Sequence, residues 1–452
     1  MPAVTNAVVV RERFEPAPEF GGSMYVFEAG PEEGTPLVLI HGLGADGSRD
    51  FAAILPALAL QYRVFAFDLP GFGRSGRRDA AYTPARYVAL LSALLKRHFG
   101  EQPVAVLGHS MGGALAIQLA GDHPEQVERL LVLDVAGVLH YREYMREVIA
   151  GSPQTAWTRT TSRLRRALFR IGMLPVKRRR LEDLALDANP TLRSYFSSAR
   201  TAAILFVQHD FGPAMRRVRA PTFIGWGARD TVAPRRTSTL LRAQLPVREF
   251  QLFASSGHVP MRSEPEAVTQ AVLRFLERPL LEPSEVERPG NVGRDGECVR
   301  RADRVFEGDY DRITIVGCKR VVLRNVRARE LIVDRSDVRL EQVTLDSLGV
   351  AVTLRRARLR WTGGTIEGEV CIENDGSALD LGGVQCDYRR APMRVLRPSR
   401  MLASASVLRR HKETPLHGEY ELFRTQKGAL PPLYARNTDS WERNSRAGEP
   451  AK

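Results

Sequence analysis

A chain of 452 residues, 43% of them hydrophobic, is too long for one ordinary core, so two domains with irregular segments are expected. No apolar stretch approaches the roughly 20 residues that span a bilayer, and Met1 to Phe14 show no signal-peptide pattern. This excludes an integral membrane protein and leaves a cytoplasmic one as the expectation. The net charge of +14 is concentrated, with sixteen Arg and Lys against six Asp and Glu from Gly137 to Ala220 and eleven against six from Arg397 onward. Such an imbalance describes surfaces and not a fold.

From about Met24 to Arg278, short β-branched runs alternate with helical patterns, as in a mostly parallel sheet covered by helices. Strands are predicted at Leu37–Ile40, Val64–Asp68, Val104–Gly108, Leu130–Asp134, Thr222–Trp226 and Phe250–Phe253. Thr83 and Pro84 supply an N-cap and an N1 proline for a helix over Ala85–Arg97, and Ser263 is expected to cap a helix over Glu264–Leu276. An α/β domain over residues 1–278 follows. Its helical, basic insertion at about 137–220 reads as a lid. Residues 279–297, rich in proline, glutamate and glycine, read as a linker.

A repeat then begins. Runs starting at Ile313, Leu331, Val350 and Glu369 are spaced by 18, 19 and 19 residues, and a second alternating run follows each, at Val321, Val338, Ala357 and Ala378. Short alternating runs at a fixed period are what the stacked coils of a β-solenoid produce, because one coil cannot bury its inward side chains alone. A small β-rich domain of the right-handed β-helix or solenoid type is therefore expected over 298–397, with an antiparallel sandwich as the alternative. Residues 398–452, basic and poor in large apolar side chains, are expected to be a disordered tail. Cys298, Cys318, Cys371 and Cys386 have no close metal-ligand spacing and read as reduced, partly buried thiols of a cytoplasmic protein.

The chemistry is carried by Gly108-His109-Ser110-Met111-Gly112, a G-x-S-x-G motif between a predicted strand and a helix. A tight strand-to-helix turn needs those glycines and lifts the Ser110 hydroxyl clear of the sheet. Ile40-His41-Gly42-Leu43-Gly44 ends an earlier strand in a glycine-bearing loop, so the backbone N–H groups of Leu43 and Met111 are the expected oxyanion donors. His41, with Gly42 and Gly44, is read as support for that loop. His258, in Ser255-Ser-Gly-His-Val-Pro after the last strand, is the candidate base, and Asp230, in Gly227-Ala-Arg-Asp, the candidate acid. Asp134, at the end of the strand after the nucleophile helix, is the alternative acid. Asp68 reads as a turn-fastening residue.

Taken in order, His41-Gly-Leu-Gly, Asp68-Leu-Pro-Gly-Phe-Gly-Arg-Ser, Gly108-His-Ser-Met-Gly-Gly, Gly227-Ala-Arg-Asp and Gly257-His-Val-Pro resemble the α/β-hydrolase superfamily, in its branch of serine esterases and lipases. The resemblance covers about Val26 to Leu276 and implies a cofactor-free serine hydrolase. Serine at position 110 speaks against haloalkane dehalogenases and epoxide hydrolases, which carry aspartate there. It leaves open an esterase acting on a small, fairly apolar ester, or a carbon–carbon bond or lactone hydrolase on the same triad. A scaffold or polymer-binding protein, whose solenoid carries the function, is the alternative from another class.

Within the insertion, Trp157, Leu164, Leu168 and Ile171 share one helical face, and Arg159, Arg163, Arg165, Arg166 and Arg170 crowd the rest. Such a helix either covers an acyl pocket or rests peripherally on an anionic membrane. The open ends of a stack of strands invite self-association or polymer contact. No recognition module accompanies the basic charge, so nucleic acid is not an expected partner.

Overall fold

The computed structural model describes residues 10–44, 46–76, 82–139, 202, 205–206, 209–279 and 294–410, and the backbone of 416–422. The basic amphipathic segment of the predicted lid, most of the linker and the chain beyond 422 lie outside these residues. Two compact units are formed, one of Met1–Ser238 with Leu245–Leu280, the other of Thr239–Gln244 with Leu281–Lys452. No described helix is long and apolar enough to cross a membrane.

The first unit is built on eight strands: β1 (Val10–Ala17), β2 (Gly22–Ala29), β3 (Thr35–Ile40), β4 (Tyr62–Phe67), β5 (Val104–His109), β6 (Val127–Leu133), β7 (Thr222–Gly227) and β8 (Val247–Phe253). They lie in the order β1-β2-β4-β3-β5-β6-β7-β8. From β4 to β8 all neighbours are parallel, whereas β1 and β2 form an antiparallel hairpin that meets β4 antiparallel. Leu37 to Ile40 and Val104 to Leu107 are buried, as expected of central strands covered on both faces. The six predicted strands all form. Neither strand of the hairpin is among those predicted, and in β1 the charged Arg-Glu-Arg run hides the alternation.

Among the described residues, the α-helices are α1 (Leu55–Leu58), α2 (Pro84–Phe99), α3 (Met111–Asp122), α4 (Gly212–Arg217), α5 (Arg235–Gln244), α6 (Pro260–Ser263) and α7 (Pro265–Glu277). Thr83 caps α2 as predicted, its hydroxyl accepting from Arg86 N–H at 3.2 Å. Ser263 does not cap α7. It ends α6, and its hydroxyl instead donates to Ser256 Oγ at 2.8 Å, with Val259 O the other acceptor in reach at 3.2 Å, while Glu264 takes the N-cap position.

The second unit is an almost all-parallel, nearly closed sheet of eleven strands, β9 (Gly296–Val299) to β19 (Leu416–Leu422), solenoid-like and not an antiparallel sandwich. Its registers join Ile313 to Leu331, Leu331 to Val352, Val352 to Ile372 and Ile372 to Met393, so a coil takes 18 to 21 residues. In-register stacking places like beside like. Leu323, Leu340, Trp361 and Leu381 form one buried column, while Arg324 pairs with Glu341 and Arg394 with Glu373 on the outside. The coil turns at stacked left-handed residues, Arg300, Gly317, Arg335, Arg356 and Gly376, each with φ between 45° and 65°. Each of the first four donates its N–H to a carbonyl of the next coil, which satisfies the backbone where the strand ends.

Two expectations are corrected here. The segment after Pro398 is not tail from its start: Arg400–Arg410 form a strand parallel to Ala378–Arg397, and Leu416–Leu422 close the stack antiparallel. Met401, Leu402 and Val407 are buried there. The cysteines are paired and not reduced, Cys298 with Cys318 and Cys371 with Cys386. Sequence separations of 20 and 15 carry no signal of this, because stacking alone brings the partners together in the core. The argument for a cytoplasmic protein from reduced thiols falls with that correction.

Thiol titration of the unfolded, unreduced protein should find no free thiol, and four after reduction. Loss of the Cys371–Cys386 bond, which closes a loop of 15 residues, should lower the stability of the second unit by about 3 kcal/mol. Four thiols without reductant would refute the pairing.

Candidate active site

The site is assembled at the carboxyl ends of the parallel strands, where loops leave the sheet. Ser110 stands between β5 and α3 with φ 52° and ψ −116°, a conformation that costs a non-glycine residue energy. The turn is held because Ser110 N–H donates to Leu133 O on β6 at 2.9 Å, and its carbonyl accepts from Ala114 N–H at 3.2 Å. It also lies against β3. A Cβ on Gly112 would run into the carbonyl oxygens of Ile40 and His41, so only glycine permits that approach.

His258 follows β8 and points both ring nitrogens at the other candidates. Its Nε2 lies 2.9 Å from Ser110 Oγ and its Nδ1 2.8 Å from Asp230 Oδ2. With the aspartate ionised, Nδ1 carries the proton and Nε2 accepts from the serine hydroxyl. The remaining oxygen of Asp230 accepts from Val232 N–H at 2.7 Å and Ala233 N–H at 3.0 Å. Burial works to raise the Asp230 carboxyl, but His258, the Asp134 side chain and Ala233 N–H outweigh it and hold it below the usual carboxylate range. Asp134, the alternative acid, does not reach the imidazole through a hydrogen bond. It sits behind Asp230, and its Oδ1 accepts from Gly227 N–H at 2.8 Å. Asp134, Asp230 and His258 bring polar side-chain atoms within 4.8 Å of one another, and within that group His258 Nδ1 and Asp230 Oδ2 are hydrogen-bonded to each other.

The loop after β3 lies beside the serine, with the position of a Cβ on Gly42 3.0 Å from Ser110 Cβ. Leu43 lies in this loop, and Met111 is the first residue of α3, where a helix leaves N–H groups without intrahelical acceptors. His41 is fully buried and uses both nitrogens. Nδ1–H donates to Gly42 O at 2.7 Å, and Nε2 accepts from Leu69 N–H at 2.8 Å. Burial holds its pKa below the ordinary value. Asp68 fastens the same region, accepting from Ser48 N–H and Arg74 N–H at 2.7 Å each.

One contributor escaped the sequence reading. His109 donates from Nε2 to the backbone carbonyl of His258 at 2.7 Å, tying the histidine loop to the elbow. Its Nδ1 lies 3.6 Å from Asp50, which Arg262 also engages at 2.9 Å. The residue stands inside the motif, yet no spacing signals a bond to a carbonyl 149 positions away.

Strain at Ser110 has a measurable consequence. Ser110→Gly should be more stable than Ser110→Ala by about 1 kcal/mol, since glycine relieves the strain that alanine keeps. Chemical denaturation of the two variants compares them with the hydroxyl lost from both, and an alanine variant as stable as the glycine one would mean an unstrained turn.

A family model for the alpha/beta hydrolase fold matches residues 35–265. A 2-hydroxy-6-oxo-6-(2'-aminophenyl)hexa-2,4-dienoic acid hydrolase of Metapseudomonas resinovorans is 30% identical over 265 residues, 56% of this chain and 86% of that protein. The magnesium-chelatase 30 kDa subunit of Rhodobacter capsulatus is 31% identical over 267 residues, 56% of this chain and 90% of that protein. Among solved structures, a serine hydrolase involved in carbazole degradation is 27% identical with a TM-score of 0.42, covering 60% of this chain and 99% of that one. The family match takes in just over half of the residues: this chain belongs to the α/β-hydrolase fold family.

Proposed function

We propose that this protein is a serine hydrolase that cleaves a carboxylic ester with a fairly apolar acyl group through an acyl-enzyme. The observation that carries the reading is the unbroken line from Ser110 Oγ to His258 to Asp230, at 2.9 and 2.8 Å, on a strained elbow. Ser110 Oγ attacks the ester carbonyl carbon as its proton passes to His258 Nε2. Collapse of the tetrahedral intermediate breaks the bond to the alkoxy oxygen, which leaves as the alcohol with that proton. Water, deprotonated by His258, then attacks the acyl-enzyme, and Ser110 recovers its proton as the acid departs.

Asp230 holds the imidazole in the productive tautomer and stabilises its cation. The N–H groups of Leu43 and Met111 take the oxyanion, each donor contributing about 2.7–4 kcal/mol in the transition state. His41 orders the loop that carries Leu43. A second reading, carbon–carbon bond cleavage by the same triad, is favoured by the relative named as a dienoic acid hydrolase.

A fluorophosphonate probe should label Ser110. Ser110→Ala and His258→Ala should each lower kcat on a chromogenic ester by about 10⁴-fold or more, and Asp230→Asn by about 10⁴-fold. Full activity in Ser110→Ala would overturn the reading. A panel of esters of increasing acyl length, run beside a 2-hydroxy-6-oxo-dienoate, separates the two substrate classes. Rising kcat/KM along the ester series supports an esterase, and turnover of the dienoate alone transfers the assignment to carbon–carbon cleavage.

A further inference from the structure

Two carboxyl groups share the floor of this site, and only one of them touches the imidazole. The side chains of Asp134 and Asp230, together with a nitrogen of His258, place their polar atoms within 4.8 Å of one another. Like charges so close in a buried place do not both persist, and one carboxyl keeps its proton. The donors decide which. Asp230 is served by Val232 N–H, Ala233 N–H and the imidazole. Asp134 is fully buried and has Gly227 N–H on Oδ1 alone, and its Oδ2 is buried without any donor. An ionised oxygen in that position is an orphan charge, whereas a protonated one is a donor in need of an acceptor. The nearby acceptor is the carboxylate of Asp230.

We propose that Asp134 is a neutral carboxylic acid that donates a hydrogen bond from Oδ2 to Asp230 and so positions the triad acid and moderates its pull on His258. It is a positioning residue, acting through Asp230, and the assignment rests on the triad proposed above. Burial and the neighbouring Asp230 push the Asp134 carboxyl up to about 10, in agreement with the donor count. The residue is held for the task by its backbone, at φ 45° at the end of β6, with its N–H on Gly225 O at 3.1 Å. Among the described residues, the other titratable groups facing this pair are His258 and, beyond it, His109, whose ring centre is 5.1 Å from that of His258, with Asp50 and Arg262 behind. None of these reaches Asp134 Oδ2.

The test is the pH profile of kcat/KM for a soluble ester in the full-length protein. Asp134→Asn exchanges one neutral donor for another, with the amide NH₂ on Asp230 and the amide oxygen on Gly227 N–H. It should leave kcat and the acid limb of the profile in place. Asp134→Ala removes the donor; Asp230 then holds the imidazolium more strongly, so kcat should fall and the acid limb move to higher pH, with KM little changed. An infrared difference spectrum should show a protonated-carboxyl carbonyl band at neutral pH in the wild type that is missing from Asp134→Asn.

Were Asp134 ionised, the asparagine would delete a negative charge beside the imidazole and move the acid limb down by about one to three pH units, which overturns the proposal. Loss of activity in Asp134→Asn as deep as in Asp230→Asn overturns it too, by making Asp134 the acid. A lowered melting temperature in Asp134→Ala with an unmoved acid limb would reduce the residue to packing. Retained activity in Ser110→Ala would refute the hydrolase reading itself, an outcome separate from any of these.

Discussion

The turn at Ser110 is the constraint on which the first unit depends, and it is a matter of backbone clearance. The strand β5, the elbow and the helix α3 pass so close to β3 that a single methyl on Gly112 would collide with two carbonyl oxygens. That closeness brings the loop of Gly42 and Leu43 alongside the serine and starts a helix at Met111, so Ser110 and the backbone of both Leu43 and Met111 are placed by one packing decision. The cost is a serine at φ 52°. It persists because its N–H donates to Leu133 O and its carbonyl accepts from Ala114 and Ala136 N–H, which together over-determine the conformation.

Around the elbow, the structure fixes histidine loops by bonding ring nitrogens to backbone. His41 ties the loop after β3 to Leu69, and His109 ties the segment bearing His258 to the elbow itself. These bonds orient groups that lie on different strands, and small displacements of such groups cost large factors in rate. The pair Asp134 and Asp230 shows the same economy: two acids distinguished by how many donors each one finds.

The second unit obeys a different rule. Its coils have no core of their own and gain one by stacking in register, which repeats apolar residues inward and opposite charges outward from coil to coil. Paired cysteines lie in that shared interior, and the strands Arg400–Arg410 and Leu416–Leu422 extend the stack beyond the last repeat that the sequence shows.

What the sequence determined by itself is what neighbours along the chain decide. The six parallel strands, the cap at Thr83, the elbow motif and the period of the coils were legible because each is written in a short window of alternation, glycine placement or capping residue. The strand–loop positions of Ser110, Asp230 and His258 were legible from chain order. The tertiary structure decided the rest. It drew Arg400–Arg410 into the stack despite a basic composition, since burial of Met401, Leu402 and Val407 outweighs a weak local signal. It joined cysteines 20 and 15 residues apart and put His109 on a carbonyl 149 residues distant. The choice between two aspartates was also tertiary. Both end strands in the right place, and only the folded arrangement gives one of them the imidazole and leaves the other an oxygen with no donor.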